Sequence, residues 1–278
     1  MLSKRIARLS TSTFNRRAGN LCQETGLRGR SESCGSIPDR SRPVVMIQVS
    51  VVTCCYNDGR FLTRALESLC HQTLPANQFE LIFVNDGSSD ETERVALSFS
   101  EKLNLRYFKH DTNRGLTASC NFALQHARGE YFIRLDADDF FEPAILERMS
   151  GPLQSGASDL VYCDRFEFVE ATAETRYVSL QEFTVFKLIA IGTMLRKNTV
   201  MELGGYRRVF WEEYDLYMRY LMNSNTEPSY IPEALYTYRI RPGSMTADHE
   251  RMNEGWKELK ALWPAAALAK FGPLPLNK

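Results

Sequence analysis

The stretch "YFIRLDADDFFEP", residues 131–143, joins an apolar run to three carboxylates. The apolar part predicts a short buried strand, and Asp136, Asp138 and Asp139 follow at the point where that strand ends. Three carboxylates within four residues repel one another unless a cation or hydrogen-bond donors compensate. In an extended segment Asp136 and Asp138 point to the same side, so both can face one ligand. Oxygen ligands of this kind suit a divalent cation that completes its shell with water and phosphate oxygens.

The chain before this stretch alternates apolar runs with helical patterns. The predicted strands are "VVMIQVSVVTC", "FELIFVND", "LRYFK" and "YFIRL". Helical spacing follows the first of them, Ser88 or Ser89 is expected to cap a second helix, and a third is predicted from about Leu116 to Ala127. A strand-helix series of this kind builds an α/β fold with a parallel sheet.

Polar clusters follow each of the four predicted strands. They are "CCYN", "NDGSSD", "DTNRG" and "DADD". In open parallel sheets, ligands bind beyond the carboxyl ends of the strands. Each cluster taken alone is typical of an ordinary loop, but four of them are expected to meet at one edge of the sheet.

Composition excludes several classes of partner. The chain has 278 residues, 34 Lys and Arg, 34 Asp and Glu, and a formal net charge of +0, so no overall field favours nucleic acid. The longest apolar stretch is interrupted and too short to cross a bilayer, which takes ~20 residues. Seven cysteines without a CxxC motif indicate reduced thiols. We therefore expect a cytoplasmic protein without a transmembrane segment, with peripheral contact at the inner face of the membrane left open.

Four longer segments together resemble a known family. They are "VSVVTCCYNDGRFLTRALESL", "ELIFVNDGSSDET", "NRGLTASCNFAL" and "GEYFIRLDADD". In order and spacing they resemble the nucleotide-sugar half of the inverting family-two glycosyltransferases of the GT-A fold, from about Val49 to Met149, with weaker agreement to about Thr246. The resemblance implies a Rossmann-like, mostly parallel sheet flanked by helices in a single catalytic domain. It also implies a nucleotide-diphosphate sugar donor, most often a UDP-sugar, and Mg²⁺ or Mn²⁺ at a DXD-type motif.

The resemblance assigns roles to residues of the first half. It makes Asp138 the metal ligand and Asp136 a contact to ribose or to metal-bound water. It makes Asp86 the acceptor of a hydrogen bond from the base and places Tyr56 beside that base. Arg114 is expected to meet phosphate or base, and an exposed loop arginine is an equally good interpretation.

The second half is expected to supply the general base. "EEYDL" resembles the family's "EDxDL" motif, whose second acidic residue is the base, and Glu213 occupies that position. Glutamate in place of the usual aspartate lengthens the arm by one methylene, which leaves Glu212 and Asp215 as competitors. Arg241 of "YRIRPGSMT" stands where the family commonly has histidine. It is expected to bind phosphate as a bidentate donor, with a surface arginine as the alternative.

Four regions follow from these assignments. Residues 1–43 are predicted to form a disordered basic tail, with a targeting extension or a translation start at Met46 as alternatives. Residues 44–150 are the predicted nucleotide-sugar-binding half, residues 151–247 the acceptor and catalytic-base half, and residues 248–278 a C-terminal helix and tail.

The predicted function is transfer of a sugar to a hydroxyl of a glycan or lipid-linked acceptor, with inversion. A nucleotidyltransferase is an alternative, although "CCYNDGRF" is not the basic glycine-rich loop expected of one. An NAD-dependent oxidoreductase would need GxGxxG after the first strand, where it is absent. The departures at Cys54, Glu213 and Arg241 leave a catalytically degenerate nucleotide-sugar-binding protein as a further alternative.

Overall fold

The structure is a computed structural model that describes residues 46–274, so the predicted tail over residues 1–43 lies outside the described residues. The strands are β1 (Val49–Cys55), β2 (Phe79–Asn85), β3 (Leu105–Lys109), β4 (Tyr131–Arg134), β5 (Phe140–Phe141), β6 (Leu160–Val169), β7 (Glu174–Val178), β8 (Thr193–Arg196) and β9 (Ser229–Ile240). The α-helices are α1 (Gly59–Cys70), α2 (Thr92–Leu97), α3 (Leu116–His126), α4 (Ile145–Gln154), α5 (Lys197–Glu202), α6 (Glu212–Asn223), α7 (His249–Leu262) and α8 (Ala265–Leu268).

All nine strands belong to one sheet. Its order is β3-β2-β1-β4-β8-β6-β9-β5, and β7 pairs with β6. The first four strands run parallel to one another; β8 is antiparallel to both β4 and β6, and β9 is parallel to β6. Strands β6 and β9 therefore share the direction of β1 to β4, and only β5, β7 and β8 oppose it. The predicted α/β class with a mostly parallel sheet is confirmed.

Helices cover both faces of the sheet, which explains why its central strands read as continuous apolar runs. Every residue of β2 is buried. On one face the core includes Leu66 of α1 and Met149 of α4. On the other face it includes Leu124 of α3, Tyr217 of α6 and Trp256 of α7. The sheet is thus covered on both faces, and the connecting loops extend from it.

The start of the second helix differs from the prediction. Helix α2 begins at Thr92, and neither Ser88 nor Ser89 caps it. Asp90 takes that place, because its Oδ1 accepts from the backbone N of Thr92 at 3.0 Å. Its Oδ2 accepts from the backbone N of Gly59 at 2.9 Å, which joins the start of α1 to the start of α2. The contact between Asp90 and Gly59 joins residues 31 positions apart, so the local sequence around α2 could not have indicated it.

The strand directions determine where the polar clusters meet. Because β1 to β4 and β9 run the same way, their carboxyl ends lie at one edge of the sheet. The segments that follow them begin at Tyr56, Asp86, His110, Leu135 and Arg241. Arg241 comes more than 100 residues after β4, and the pairing of β9 in the sheet brings it to this edge.

Candidate active site

The loop after β4 separates the three carboxylates that the sequence placed together. Asp136 and Asp138 are partly exposed, with 28% and 18% of their side chains accessible. Asp139 is buried, and its Oδ1 accepts from the backbone N of Arg239 at 2.7 Å. Burial raises the pKa of Asp139 well above its ordinary value, and the neighbouring charges of Asp138 and Asp136 raise it further. Asp139 therefore anchors the loop to β9, while the other two face the open edge.

An arginine from the end of β9 contacts the second of these carboxylates. Nε of Arg241 donates to Oδ2 of Asp138 at 2.7 Å, and its Nη2 donates to both oxygens of Asp58 at 2.9 Å. Its guanidinium also lies 4.5 Å from the centre of the Phe61 ring. Burial raises the pKa of Asp138, and the hydrogen bond from Arg241 opposes that rise. Arg241 is thus buried between two carboxylates, so the alternative of a surface arginine is wrong.

A second arginine joins the loop to helix α6. Arg134, the last residue of β4, forms an ion pair with Asp136 at 2.8 Å and donates from Nη1 to Oε1 of Glu212 at 3.0 Å. Both Arg134 and Glu212 are buried. The two acidic segments are therefore coupled through one guanidinium.

The first turn of α6 carries the candidate base. Oε2 of Glu213 is buried and has no hydrogen-bond partner among the described residues. Burial raises the pKa of Glu213 to about 8, and the adjacent charge of Glu212 adds to the rise while Arg134 opposes it. A carboxyl whose pKa lies near neutrality and whose oxygen is unpaired has the properties of a general base.

The two competitors of Glu213 are engaged elsewhere. Glu212 is paired with Arg134. Asp215 is fully buried and accepts from Nε1 of Trp263 and from Nε of Arg219, both at 2.9 Å. The contact with Trp263 ties α6 to the segment that follows α7, and the contact with Arg219 lies within α6, so Asp215 has a packing role.

The loops after β2 and β3 meet at Asp86. This buried carboxylate accepts from the backbone N of Arg114 and of Gly115 and from Nδ1 of His110, each at 2.9 Å. Burial alone would raise the pKa of Asp86, but these hydrogen bonds outweigh it and lower the pKa. Asp86 thus fixes the loop after β3, and its contact with a base stays a prediction. Arg114 contributes its backbone here, and its side chain is exposed.

The turn after β1 presents an aromatic ring to the same edge. Tyr56 is 48% exposed. Asn57 adopts a φ of 55°, and its Oδ1 accepts from the backbone N of Ser89 at 2.9 Å. Gly87, with a φ of +78°, lies so close to the loop after β3 that an added Cβ would come within 2.6 Å of the carbonyl carbon of Thr112. Tight turns therefore hold Tyr56 at the edge.

Comparison with known proteins identifies the family. The family model "Glycosyl transferase family 2" matches residues 50–233, which is about two thirds of the chain. The chain belongs to glycosyl transferase family 2. The resemblance predicted from sequence is therefore confirmed.

Relatives within glycosyl transferase family 2 match parts of the chain. EpsH of Bacillus subtilis is 35% identical over 127 residues, and an uncharacterized glycosyltransferase of Rickettsia typhi is 26% identical over 233 residues. The first match covers 46% of this chain and 36% of EpsH; the second covers 77% of this chain and 70% of the relative. The chain spans only 20% of the length of TarS, a poly(ribitol-phosphate) β-N-acetylglucosaminyltransferase of Staphylococcus aureus.

Solved structures show the same fold. Residues 1–349 of S. aureus TarS, in complex with UDP-GlcNAc, superpose with a TM-score of 0.66 at 24% identity, covering 81% of this chain and 71% of that one. The mannosyltransferase PcManGT of Pyrobaculum calidifontis, in complex with GDP-Man and Mn²⁺, gives a TM-score of 0.64 at 18% identity, covering 82% and 66%. The GT-A fold expected for the family is thereby confirmed. Across residues 46–274, no helix is both long and apolar enough to cross a membrane.

Sequence reasoning gave no role to two residues that organise this site. Arg134 was visible as a charge inside an apolar strand, which is a signal that a buried acid lies nearby. Asp58 stands immediately before α1, and its side chain makes no capping bond there. Its contact with Arg241 spans 183 residues, and no local pattern could have indicated it.

Proposed function

We propose that this chain transfers a sugar from a nucleotide-diphosphate sugar to an acceptor hydroxyl, with inversion at the anomeric carbon. The observation that carries the proposal is Glu213, a buried carboxyl with an unpaired oxygen and a pKa of about 8, coupled through Arg134 and Glu212 to Asp136. A base linked in this way to the edge that collects the carboxyl ends of the parallel strands suits attack by a hydroxyl. Membership of glycosyl transferase family 2 supports the same reaction.

The donor is assigned to the edge formed by Tyr56, Asp86 and the loop after β4. Tyr56 offers an exposed ring on which a base can stack. Asp86 holds the loop that carries Arg114, and Arg241 supplies a guanidinium whose geometry suits a diphosphate. A UDP-sugar is the first candidate, since TarS is described with UDP-GlcNAc; a GDP-sugar is the second, since PcManGT is described with GDP-Man.

A divalent cation, Mg²⁺ or Mn²⁺, is assigned to Asp138, with Asp136 turned to ribose or to water. The carboxylate of Asp138 is partly exposed and of the oxygen chemistry that these ions prefer. No group of three or more His, Cys, Asp or Glu side chains suited to a metal lies together within residues 46–274. The cation would accordingly take most of its ligands from water and the donor diphosphate. When bound, it supplies positive charge to the leaving diphosphate.

The remaining steps of the proposed reaction are assigned to side chains of this protein. Glu213 takes the proton of the acceptor hydroxyl at Oε2 while that oxygen attacks the anomeric carbon. Arg134 holds Glu212 and Asp136 in place, so the acidic helix start and the donor loop keep a fixed separation. Positioning and electrostatics account for catalysis, and no covalent intermediate is needed. The acceptor is a hydroxyl of a glycan or of a lipid-linked glycan.

The family match gives no support to the nucleotidyltransferase alternative. The degenerate binding protein differs from the enzyme in one measurable respect, because it would bind UDP without releasing UDP from any donor. Arg241 on Asp138 is the contact that favours this second candidate, since it occupies the proposed cation ligand.

The test is a screen of UDP- and GDP-sugars with Mn²⁺ for thermal stabilisation and for release of the nucleoside diphosphate. We expect the wild-type chain to be stabilised and to release the diphosphate, and Asp138→Ala to lose the stabilisation. Glu213→Gln is expected to bind the donor and not to turn it over. If Asp138→Ala bound the nucleotide sugar and Mn²⁺ as the wild type does, the assignment of the cation to Asp138 would be wrong. If the wild type bound a nucleotide sugar but released no nucleoside diphosphate with any acceptor, the catalytically degenerate binding protein would be favoured.

A further inference from the structure

The side chain of Arg241 donates hydrogen bonds to two carboxylates of its own chain. Nε meets Oδ2 of Asp138 at 2.7 Å, and Nη2 meets both oxygens of Asp58 at 2.9 Å. Contacts between a guanidinium and carboxylates at these distances are among the stronger hydrogen bonds in proteins. The side chain is also buried and stacked on Phe61. The guanidinium therefore has a defined seat between the start of α1 and the loop after β4.

In this position the guanidinium contacts Oδ2 of Asp138, the residue to which the divalent cation is assigned. A guanidinium and a divalent cation repel each other at contact distance, and Oδ2 of Asp138 cannot serve both at full strength. No group of three ligating side chains exists within residues 46–274, so a cation at Asp138 would depend on that carboxylate and on ligands from outside the protein. In the absence of donor, a cation must therefore compete with Arg241.

The donor diphosphate changes this balance in two ways. Its oxygens give Arg241 a new partner of the geometry that guanidinium groups bind best. They also give the cation the additional ligands that one or two protein carboxylates cannot supply. The backbone beside Arg241 is held by the sheet, since Ile240 pairs with Val169. Rotation of the Arg241 side chain is enough for the exchange.

We propose that Arg241 makes cation binding at Asp138 depend on the donor diphosphate. Without donor, the guanidinium lies on Asp138 and keeps the cation away. With donor, it turns to the phosphate oxygens and leaves Asp138 to the cation. Asp58 is a positioning residue that keeps the guanidinium within reach of both. This inference rests on the proposed function, because it assumes that diphosphate and cation share one cleft.

The experiment measures Mn²⁺ and UDP binding separately on the full chain. Free Mn²⁺ is followed by its electron paramagnetic resonance signal, with and without UDP, and UDP affinity is measured at saturating Mn²⁺. The variant is Arg241→Gln. The matched control is Arg239→Gln, because Arg239 lies on the same strand end and also stacks on Phe61, but its Nε meets the backbone O of Asp138 at 3.0 Å.

We expect opposite changes in the two affinities. Without UDP, Arg241→Gln should bind Mn²⁺ at least tenfold more tightly than the wild type, because Asp138 is released. With Mn²⁺ present, the same variant should bind UDP at least tenfold more weakly, because the phosphate contact is lost. Arg239→Gln should stay within about twofold of the wild type in both. A purely structural role for Arg241 would weaken both affinities together and would overturn the proposal.

Two further outcomes separate this inference from the proposed function. Equal Mn²⁺ affinity of wild type and Arg241→Gln, in proteins that bind UDP with Mn²⁺, overturns the inference and leaves the donor site standing. Failure of the wild type to bind any nucleotide overturns both. If circular dichroism shows that Arg241→Gln is unfolded, Arg241→Lys replaces it. The lysine variant keeps the charge, so its Mn²⁺ affinity without UDP should lie within about threefold of the wild type and its UDP affinity below it. A lysine variant that binds Mn²⁺ tenfold more tightly would also contradict the proposal.

Discussion

The loop after β4 and the first turn of α6 each contain three carboxylates, and the protein places them in different environments. In the loop, Asp136 and Asp138 remain partly exposed and each contacts an arginine. In the helix, Glu212, Glu213 and Asp215 are all buried. Two carboxylates of the loop thus face guanidinium groups at the open edge, whereas the helix contains a carboxyl whose pKa burial raises to about 8.

The difference shows that the number of carboxylates in a segment does not determine what those carboxylates do. Partial exposure beside a cationic partner suits a ligand site, because a ligand can reach the carboxylate and offer that partner other oxygens. Burial without a partner suits proton transfer, because desolvation disfavours the charged form. Arg134 contacts both clusters and makes each sensitive to the other. Four predictions test this comparison.

The largest expected effect is on turnover in Glu213→Gln. Removing a general base typically lowers the rate 10² to 10⁴-fold, and we expect a fall in kcat of about that size. Donor affinity should stay within about twofold, because Glu213 has no role in holding the donor. The measurement is release of nucleoside diphosphate at saturating donor and acceptor. Glu212→Gln is the matched variant, and a greater loss of kcat in Glu212→Gln than in Glu213→Gln would transfer the base to Glu212.

The second effect is on stability in Arg134→Met. Removing this guanidinium leaves the buried Glu212 without its cation, and loss of one partner of a buried pair costs about 3–5 kcal/mol. Urea denaturation should show a loss of that order in the free energy of unfolding. The double variant Arg134→Met with Glu212→Gln should recover a large part of it, because the orphaned charge is gone. A double variant no more stable than the single one would mean that Arg134 does not couple the clusters in this way.

The third effect is the pH dependence that Glu213 gives to stability. Its pKa of about 8 in the folded chain exceeds the ordinary value of 4.5, so the folded chain binds more protons between these values. The favourable contribution of the protonated form is complete below pH 4.5 and is lost as the pH rises through about 8. We expect Glu213→Gln to match the wild type near pH 5 and to exceed its free energy of unfolding by about 1–3 kcal/mol at pH 8.5. Replacing the exposed Glu254 by Gln is the control, and an equal gain there would show that Glu213 is not the group responsible.

Much of the fold and part of the site could be predicted from sequence. Apolar runs ended by polar clusters predicted β1 to β4, because buried parallel strands such as β2 leave a local signature. The partly buried β3 also has the predicted bounds. The edge position of Asp136 and Asp138 followed from the same pattern. The pairing of Arg241 with Asp58 and Asp138 could not be predicted, because it depends on β9 running parallel to strands that precede it by about 100 residues. The burial that raises the pKa of Glu213 depends equally on packing and not on the local acidic pattern.

The smallest effect is expected in Asp139→Asn. Asp139 belongs to the loop after β4 but is buried like the carboxylates of α6. It therefore tests whether burial or position in the chain determines the role of a carboxylate. Its Oδ1 accepts from the backbone N of Arg239, and its buried Oδ2 has no hydrogen-bond partner among residues 46–274. An asparagine keeps the acceptor for the backbone N of Arg239 and cannot ionise. We therefore expect a change within about 1 kcal/mol in the free energy of unfolding at pH 7.

Asp139→Ala is the matched variant for that comparison. It removes the acceptor of the partly buried backbone N of Arg239, which costs about 1–3 kcal/mol. Thermal or urea denaturation of both variants, with UDP and Mn²⁺ binding as a second readout, separates the loop anchor from the ligand site. If Asp139→Asn lost metal-dependent UDP binding as completely as Asp138→Ala, the two carboxylates would share one role, and the division of the loop cluster by burial would be wrong.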